Sequence, residues 1–135
     1  FTFIDFGCGS GRVTNFFKNY FKITIGIDKN KNFKKFLTSS KEKFIHLNLR
    51  NLNKLNKIEK NITGNIALYF HEPFDIFLIK KIIRLFLKRK KRKCLIILST
   101  FTDDVIIEIK GLKIVFLKKI STKKKNENIR IYKYP

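Results

Sequence analysis

The chain has 135 residues, a formal net charge of +21 at pH 7, 44% hydrophobic residues and 15 phenylalanines. This length and apolar content predict one folded domain over residues 1–135 and exclude a disordered chain. No signal peptide is recognisable, and no apolar run approaches the roughly twenty residues that cross a bilayer, so we expect a cytoplasmic protein without a membrane partner.

The strong positive charge would ordinarily indicate a nucleic acid or an anionic membrane as partner. However, the abundant residues Lys, Ile, Phe and Asn have A/T-rich codons, and Met and Trp are absent. Genome composition therefore accounts for much of the lysine excess. By itself, the charge supports a polyanionic partner only weakly.

The chain has only two cysteines and two histidines, and they are scattered along it. Cys8 and Cys94 are predicted to be reduced thiols of an intracellular protein. The spacing of these four residues has no metal-binding pattern, so we expect no metal.

The N-terminal region has the pattern of a strand, a glycine-rich turn and a helix. Residues 1–6 are mostly aromatic or β-branched, which predicts a buried strand. Gly7, Gly9 and Gly11 follow, and residues 12–21 carry apolar side chains at helical spacing. Glycine permits a sharp turn and brings a ligand close to bare backbone at a helix N-terminus. The pattern predicts a nucleotide-like ligand, with a plain glycine-rich turn as the alternative.

The spacing of the glycines separates two classes of ligand. A dinucleotide-binding turn has the pattern G-x-G-x-x-G, and Arg12 stands where its third glycine is needed. The spacing Asp-x-Gly-x-Gly-x-Gly instead resembles motif I of the class I S-adenosylmethionine-dependent methyltransferases. The resemblance implies that the loop cradles the methionine part and ribose of S-adenosylmethionine (SAM), with the carboxylate close to the amino group of the ligand. The candidate cofactor-binding residues of this segment are Asp5, Gly7, Cys8, Gly9, Ser10 and Gly11.

A second predicted strand, residues 22–27, is followed by Asp28. An acidic residue about twenty positions beyond such a loop holds two ribose hydroxyls, because a carboxylate accepts both O–H groups. Asp28 is therefore predicted to bind the ribose, and the adjacent Lys29 is predicted to lie beside the cofactor. The alternative is that Asp28 only caps a helix predicted at residues 30–39.

Asn48 follows a short third predicted strand, residues 44–47, and precedes a weak helix or loop at residues 51–61. The methyltransferase resemblance implies that Asn48 contacts the adenine amino group, since an amide oxygen accepts an N–H. The alternative is that Asn48 only ends the strand. His46 is expected to be a packed or edge residue rather than a ligand.

A fourth predicted strand, residues 65–70, leads into the tetrapeptide His71-Glu72-Pro73-Phe74. Its position resembles motif IV of amino-group methyltransferases, Asn/Asp-Pro-Pro-Tyr/Phe, whose polar residue and aromatic ring hold the target nitrogen. Pro73 and Phe74 match this motif, whereas His71 and Glu72 depart from it. The candidate catalytic residues are His71, which can accept a proton near neutral pH, Glu72 and Phe74. The alternative is that the segment only begins the next helix.

The rest of the chain continues the alternation of helices and strands. A helix is predicted from Pro73 to about Lys90, a strand at 95–98, a helix or strand at 102–109, and strands at 112–117 and 129–134 joined by the loop 121–128. The basic run 88–93 is predicted to be a solvated segment at the edge of the sheet away from the cofactor. The helix residues expected to face the sheet are Phe77, Ile79, Ile82, Ile83, Phe86 and Leu87.

Strands alternating with helices predict an α/β fold with a doubly wound sheet. The methyltransferase resemblance implies a mostly parallel seven-stranded sheet of order 3-2-1-4-5-7-6 with an antiparallel last strand. Because the first residue lies in a strand and is not Met, we expect that an N-terminal part is missing, which in relatives carries helices over the cofactor.

The sequence thus predicts a methyltransferase that uses SAM and acts on an acceptor that is RNA, another protein or a small molecule. Methyl transfer needs no protein nucleophile, because the sulfonium is already an activated leaving group and catalysis is mainly alignment. Two alternative functions remain open. One is a catalytically silent domain that binds RNA through its basic surface, and the other is an NAD or nucleotide-sugar enzyme with the same turn.

Overall fold

The computed structural model describes residues 1–31, 42–71, 75–89, 92–100, 107–121 and 126–135. These residues contain one sheet of seven strands: β1 (Thr2–Phe6), β2 (Ile23–Asp28), β3 (Glu42–His46), β4 (Ile66–His71), β5 (Cys94–Thr100), β6 (Lys113–Ser121) and β7 (Asn126–Tyr134). The described helices are α1 (Arg12–Phe17), α2 (Leu52–Asn61) and α3 (Ile76–Leu87). No helix in these ranges is both long and apolar enough to cross a membrane.

The strand order is β3-β2-β1-β4-β5-β7-β6. The first five strands pair in parallel, and β7 pairs antiparallel with both β5 and β6. This confirms the predicted order and the antiparallel last strand. Parallel neighbours need crossover connections, and α1, α2 and α3 lie in the connections after β1, β3 and β4.

The core lies on both sides of the central strands, and every residue of β1 is buried. Phe70 stacks on Phe6 with ring centroids 4.8 Å apart, and Phe86 of α3 meets Phe6 edge-on at 5.6 Å. On the other face, Phe3 contacts Phe17 of α1 at 4.5 Å. Because successive residues of a strand point to opposite faces, α1 and α3 cover opposite faces of the sheet.

Two helices differ from their predicted bounds. The first ends at Phe17 rather than residue 21, and the backbone N–H groups of Tyr20 and Phe21 donate to the Phe17 carbonyl in a turn. The long helix begins at Ile76, not at Pro73, because the Asp75 carboxylate caps it by accepting the Phe77 N–H at 2.9 Å.

The later start of α3 also changes which side chains face the sheet. Ile79, Ile82, Ile83 and Phe86 are buried as predicted, and Leu87 is partly buried. Phe77 was predicted to face the sheet, but its position in the first turn leaves it 71% exposed. The helix predicted at 30–39 lies mostly outside the described residues. Of the helix or strand predicted at 102–109, only residues 107–109 are described, and they are neither.

The interpretation of residues 88–93 as a solvated run is wrong for its two described arginines. Arg92 is 6% exposed, and its Nη1 lies 2.9 Å from Oε1 of Glu59. Arg89 reaches the same oxygen at 3.2 Å through Nε, and both guanidinium groups donate to the Ile62 carbonyl. Glu59 is itself 4% exposed at the end of α2, so its buried charge requires these partners.

Candidate functional site

The glycine loop adopts a backbone that favours glycine at three positions. Gly7, Gly9 and Gly11 have φ angles of 76°, 53° and 75°, in the left-handed region. The N–H groups of Gly7 and Cys8 donate to the Ile27 carbonyl at 2.7 and 3.2 Å. The loop is therefore anchored on the end of β2, and it leads directly into α1.

Gly26 in β2 lets the loop pack this closely, although it was not among the predicted site residues. A Cβ at this position would lie 2.8 Å from the Cys8 Sγ and 3.3 Å from the Thr14 Oγ1. A side chain at residue 26 would therefore push the loop away from the sheet. The signal available in the sequence was a glycine inside an otherwise β-branched strand, which often marks a close backbone approach.

Asp28 ends β2 and links the loop to the cleft beside it. Its Oδ2 accepts the Gly9 N–H at 3.1 Å, and its Oδ1 accepts the Asn30 N–H at 2.8 Å. A carboxylate has about four acceptor positions, so these two bonds leave capacity for hydroxyl donors. The bond to Asn30 is also the contact that a cap would make. The ribose-binding and capping interpretations of Asp28 are therefore compatible.

Asp5 lies beneath the loop rather than on its surface. It is 2% exposed, and its Oδ2 accepts the Thr14 hydroxyl at 2.8 Å. Burial raises the pKa of Asp5 to about 7, and the nearby Asp28 charge adds to this shift, while the Thr14 hydrogen bond opposes it. Asp5 thus joins β1 to α1, and any influence on a ligand passes through the loop.

Cys8 is packed under the loop as a neutral thiol. Burial, followed by the charges of Asp5 and Asp28, raises its pKa to about 12. Burial likewise raises the pKa of Cys94 to about 12. Both cysteines are free and buried, so neither forms a disulfide. A thiol that stays protonated is a poor nucleophile, which agrees with a packing role.

A cleft of about 260 Å³ opens where the carboxyl ends of β1, β2 and β3 meet the start of α3. Four predicted cofactor residues line it together: Gly7, Asp28, Lys29 and Asn48. The remaining lining residues, which were not among the predicted site residues, are Leu47, Leu49, Arg50, Asp75 and Leu78. The leucines form apolar walls, which suit a flat heterocycle, between the polar groups at the rim.

Asn48 lies on the exposed rim of this cleft. Its Oδ1 accepts the Arg50 N–H at 3.0 Å, and its carbonyl accepts the Asn51 N–H at 2.9 Å, so it shapes the turn before α2. His46 is exposed on the edge strand β3, and its Nε2 lies 2.8 Å from the Lys29 carbonyl. This confirms the interpretation of His46 as an edge residue.

His71 ends β4 but does not line the cleft. Its Nδ1 lies 2.8 Å from the Ser99 Oγ, and its ring is nearly parallel to that of Tyr69, with 6.3 Å between the centroids and 4° between the planes. The structure therefore places His71 on the face of the sheet that carries α1. Glu72 and Phe74, the other candidate catalytic residues, lie outside the described residues.

A metal centre is not evident in the described part of the chain. None of its residues form a group of three or more His, Cys, Asp or Glu side chains that could hold an ion.

No protein-family model matches the sequence, and a search of curated proteins finds no relative. Solved structures do share the fold. A SAM-dependent methyltransferase from Anabaena variabilis is 14% identical, with a TM-score of 0.76 over 99% of this chain and 77% of that one. Magnesium protoporphyrin IX methyltransferase from Synechocystis, solved with bound SAM, is 13% identical with a TM-score of 0.62, over 98% and 69% of the two chains. An rRNA methylase from Streptococcus thermophilus is 12% identical with a TM-score of 0.67, over 98% and 86%.

The chain therefore has the Rossmann-like fold of the class I SAM-dependent methyltransferases. At sequence identities this low, the structural likeness shows the fold of the chain and does not identify a methyl acceptor.

Proposed function

We propose that this protein transfers a methyl group from SAM to an acceptor bound near the end of β4. The observation that carries the proposal is the position of Asp28. Its carboxylate lies at the end of β2, holds the glycine loop through the Gly9 N–H at 3.1 Å and faces the cleft. This is where a doubly wound fold binds the ribose of a nucleoside-containing cofactor.

The residues of the loop and cleft fit the parts of SAM. We assign the backbone of residues 7–11, including Ser10, to the methionine part, the Asp28 carboxylate to the two ribose hydroxyls and the Asn48 amide to the adenine amino group. Leu49 and Leu78 would flank the adenine ring. Among the described residues, apart from the chain neighbours of Gly9, nothing lies within 4 Å of a Cβ built on Gly9, so these residues leave space for a ligand there.

When bound, SAM supplies a methyl group that is already activated on a sulfonium. The work left to this chain is to align the acceptor, to exclude water and to take up a proton where the acceptor carries one. We assign proton uptake to His71, whose ring is oriented by the Ser99 hydroxyl at 2.8 Å. Glu72 and Phe74 are proposed to orient the acceptor and to stack on it.

The proposal is tested by isothermal titration calorimetry with SAM, S-adenosylhomocysteine and NAD. We expect both sulfur-containing ligands to bind and NAD not to bind. Binding of NAD instead would favour the dinucleotide enzyme. Failure to bind SAM together with retained RNA affinity, unchanged in Asp28→Ala, would favour the silent RNA-binding domain.

A further inference from the structure

A second concave surface, of about 470 Å³, lies on the face of the sheet that carries α1. Phe16 and Phe17 of α1 form one wall, and Tyr69, Ile97 and Ile131 of the sheet form part of the floor. The Phe16 ring contacts Phe17 and Tyr20, with centroids 5.1 and 5.6 Å apart, and is still 61% exposed. We call this surface the aromatic groove; it is separate from the cleft that contains Asp28.

The pairing register shows how far the aromatic groove extends. Tyr69 pairs with Ile97, Ile97 with Ile131, and Ile131 with Phe116 of β6, so these four side chains form one row on one face. Phe116 is 45% exposed at the far end of the row. An apolar and aromatic floor therefore runs from β4 to the edge of the sheet.

The neighbouring row connects the aromatic groove to the candidate acceptor site. His71 pairs with Ser99, Ser99 with Ile129, and Ile129 with Lys118. His71 therefore lies on the same face as the aromatic groove, at its β4 end, with its ring parallel to that of Tyr69. A molecule bound in the groove would reach His71 without crossing the sheet.

The charged side chains near the aromatic groove indicate which kind of molecule binds there. Arg12 lines one side of the groove. Lys118 pairs with Ile129 at the β6 edge, and Lys113 pairs with Lys133 further toward the amino ends of the parallel strands; all three lysines are exposed and lie on the same face as the groove. No carboxylate is among the described residues that line the groove. A second copy of a chain with a net charge of +21 would bring like charges together, whereas a polyanion would be attracted. Single-stranded nucleic acid also supplies flat bases that stack on aromatic rings while its phosphates pair with the cations.

We propose that the aromatic groove binds a single strand of nucleic acid and places one of its bases beside His71. The proposal rests on the methyl-transfer function above and names the acceptor class for it: a base within a single strand, not a free small molecule or a protein.

The stacking contribution is tested by fluorescence anisotropy with a labelled single-stranded RNA and a DNA strand of the same sequence. Phe16→Ser and Phe116→Ser should each weaken binding at least about fivefold, since stacking on an aromatic side chain contributes substantially for each base. The matched control is Phe77→Ser, because Phe77 is 71% exposed on α3, on the opposite face. It should change the affinity less than about twofold, within the usual range for distant surface changes. Comparison of the two strands shows whether RNA or DNA is preferred.

The charge contribution is tested with two triple variants that lose the same charge. Lys113→Gln, Lys118→Gln and Lys133→Gln together should reduce the slope of log affinity against log salt by about two, given a slope of about 0.7 per phosphate for single strands. The control changes Lys81, Arg84 and Lys88, which are exposed on and just after α3, to Gln. Equal effects from the two triple variants would overturn the assignment to the groove.

Calorimetry with SAM on the same proteins separates this proposal from the methyl-transfer function. Loss of strand binding with unchanged SAM affinity supports both. If the variants bind both SAM and the strand like the unsubstituted protein, the assignment of strand binding to the groove is rejected and the methyl-transfer function is not. If the unsubstituted protein binds the strand but not SAM, the proposal that the strand is the methyl acceptor is rejected. Light scattering that shows a dimer, converted to a monomer by Phe16→Ser, would assign the groove to a second copy and overturn the proposal.

Discussion

Two carboxylates at opposite ends of the parallel strands show how differently the same chemical group is used in this fold. Asp28, at the carboxyl ends, is partly exposed in a cleft and accepts two backbone N–H groups. Glu59, near the amino ends, is 4% exposed and lies against two guanidinium groups at 2.9 and 3.2 Å. The Asp28 carboxylate can therefore still accept hydrogen bonds from a ligand, whereas the Glu59 charge is neutralised within the protein.

The difference follows from the geometry of the sheet. At the carboxyl ends, the glycine loop, the ends of β2 and β3 and the start of α3 border a cleft, and ligands of doubly wound folds bind at such a place. At the amino ends, the end of α2 and the segment before β5 pack together, so a charged group is buried and must be paired. Substitutions at the carboxyl ends should therefore change ligand binding, and those at the amino ends should change stability.

The largest effect is expected from Gly9→Val, which should weaken SAM binding at least about 100-fold, because a side chain there enters space that we assign to the cofactor. The φ angle of 53° also makes the substitution strained, by roughly 1–2 kcal/mol. Calorimetry measures the affinity, and thermal unfolding measures the strain.

Gly64→Val separates these two causes. Gly64 has a φ of 75°, and apart from its chain neighbours no described residue lies within 4 Å of its Cβ position, but it precedes β4 at the amino ends of the strands. The two variants should lose similar stability, and only Gly9→Val should lose SAM. Normal binding by folded Gly9→Val would show that the loop is only structural.

Arg92→Gln should lower the free energy of unfolding by about 3 kcal/mol, because it leaves the buried Glu59 carboxylate with one fewer cationic partner. The adjacent Lys93 is exposed, so Lys93→Gln should stay within about 0.5 kcal/mol. Urea denaturation measures both values, and SAM affinity should be unchanged in the folded protein. Equal stability of the two variants would refute the structural role of Arg92.

Asp28→Ala should weaken SAM binding by roughly 1–3 kcal/mol, because buried hydroxyls lose a charged acceptor. The N–H groups of Gly9 and Asn30 also lose their acceptor, so we expect a smaller loss of stability as well. Asp28→Asn keeps an acceptor oxygen and should recover the stability more fully than the affinity. An unchanged affinity of Asp28→Ala for SAM, measured by titration, would reject the ribose assignment.

A dependence of stability on pH is also expected, and it comes from Asp5. Because burial raises its pKa from 3.8 to about 7, the native state binds this proton more tightly than the unfolded state does. The stabilisation is full below about pH 4, falls by up to about 1.4 kcal/mol per pH unit as the pH rises, and is lost above about pH 7.

Asp5→Asn removes this titration and keeps an oxygen to accept the Thr14 hydroxyl. Urea denaturation at about pH 5 and about pH 8 should therefore show that the protein loses stability relative to the variant as the pH rises. A difference that is constant with pH would contradict the raised pKa of Asp5.

The glycine loop, the position of Asp28 and the alternation of elements could be predicted because their signals are local. Left-handed backbone at Gly7, Gly9 and Gly11 favours the residue without a Cβ, so the spacing of the glycines in the sequence shows where the turn lies. Strands buried on both faces need continuous apolar runs, which made β1 and β4 recognisable. The full strand order came from the resemblance to methyltransferases, and the pairing confirmed it.

The rest depended on contacts between residues far apart in the sequence. Glu59 and Arg92 are 33 positions apart, and no local pattern shows that one buries the charge of the other. Leu49 and Leu78 are ordinary apolar residues until the cleft forms around them, and the glycine at position 26 signals a close approach without showing that the loop is what packs there. The sequence by itself determined where the backbone turns and which strands are apolar, because these depend on single residues and their neighbours. Only the tertiary structure decided which charges are paired and which surfaces stay open, because burial and pairing depend on what packs against each side chain.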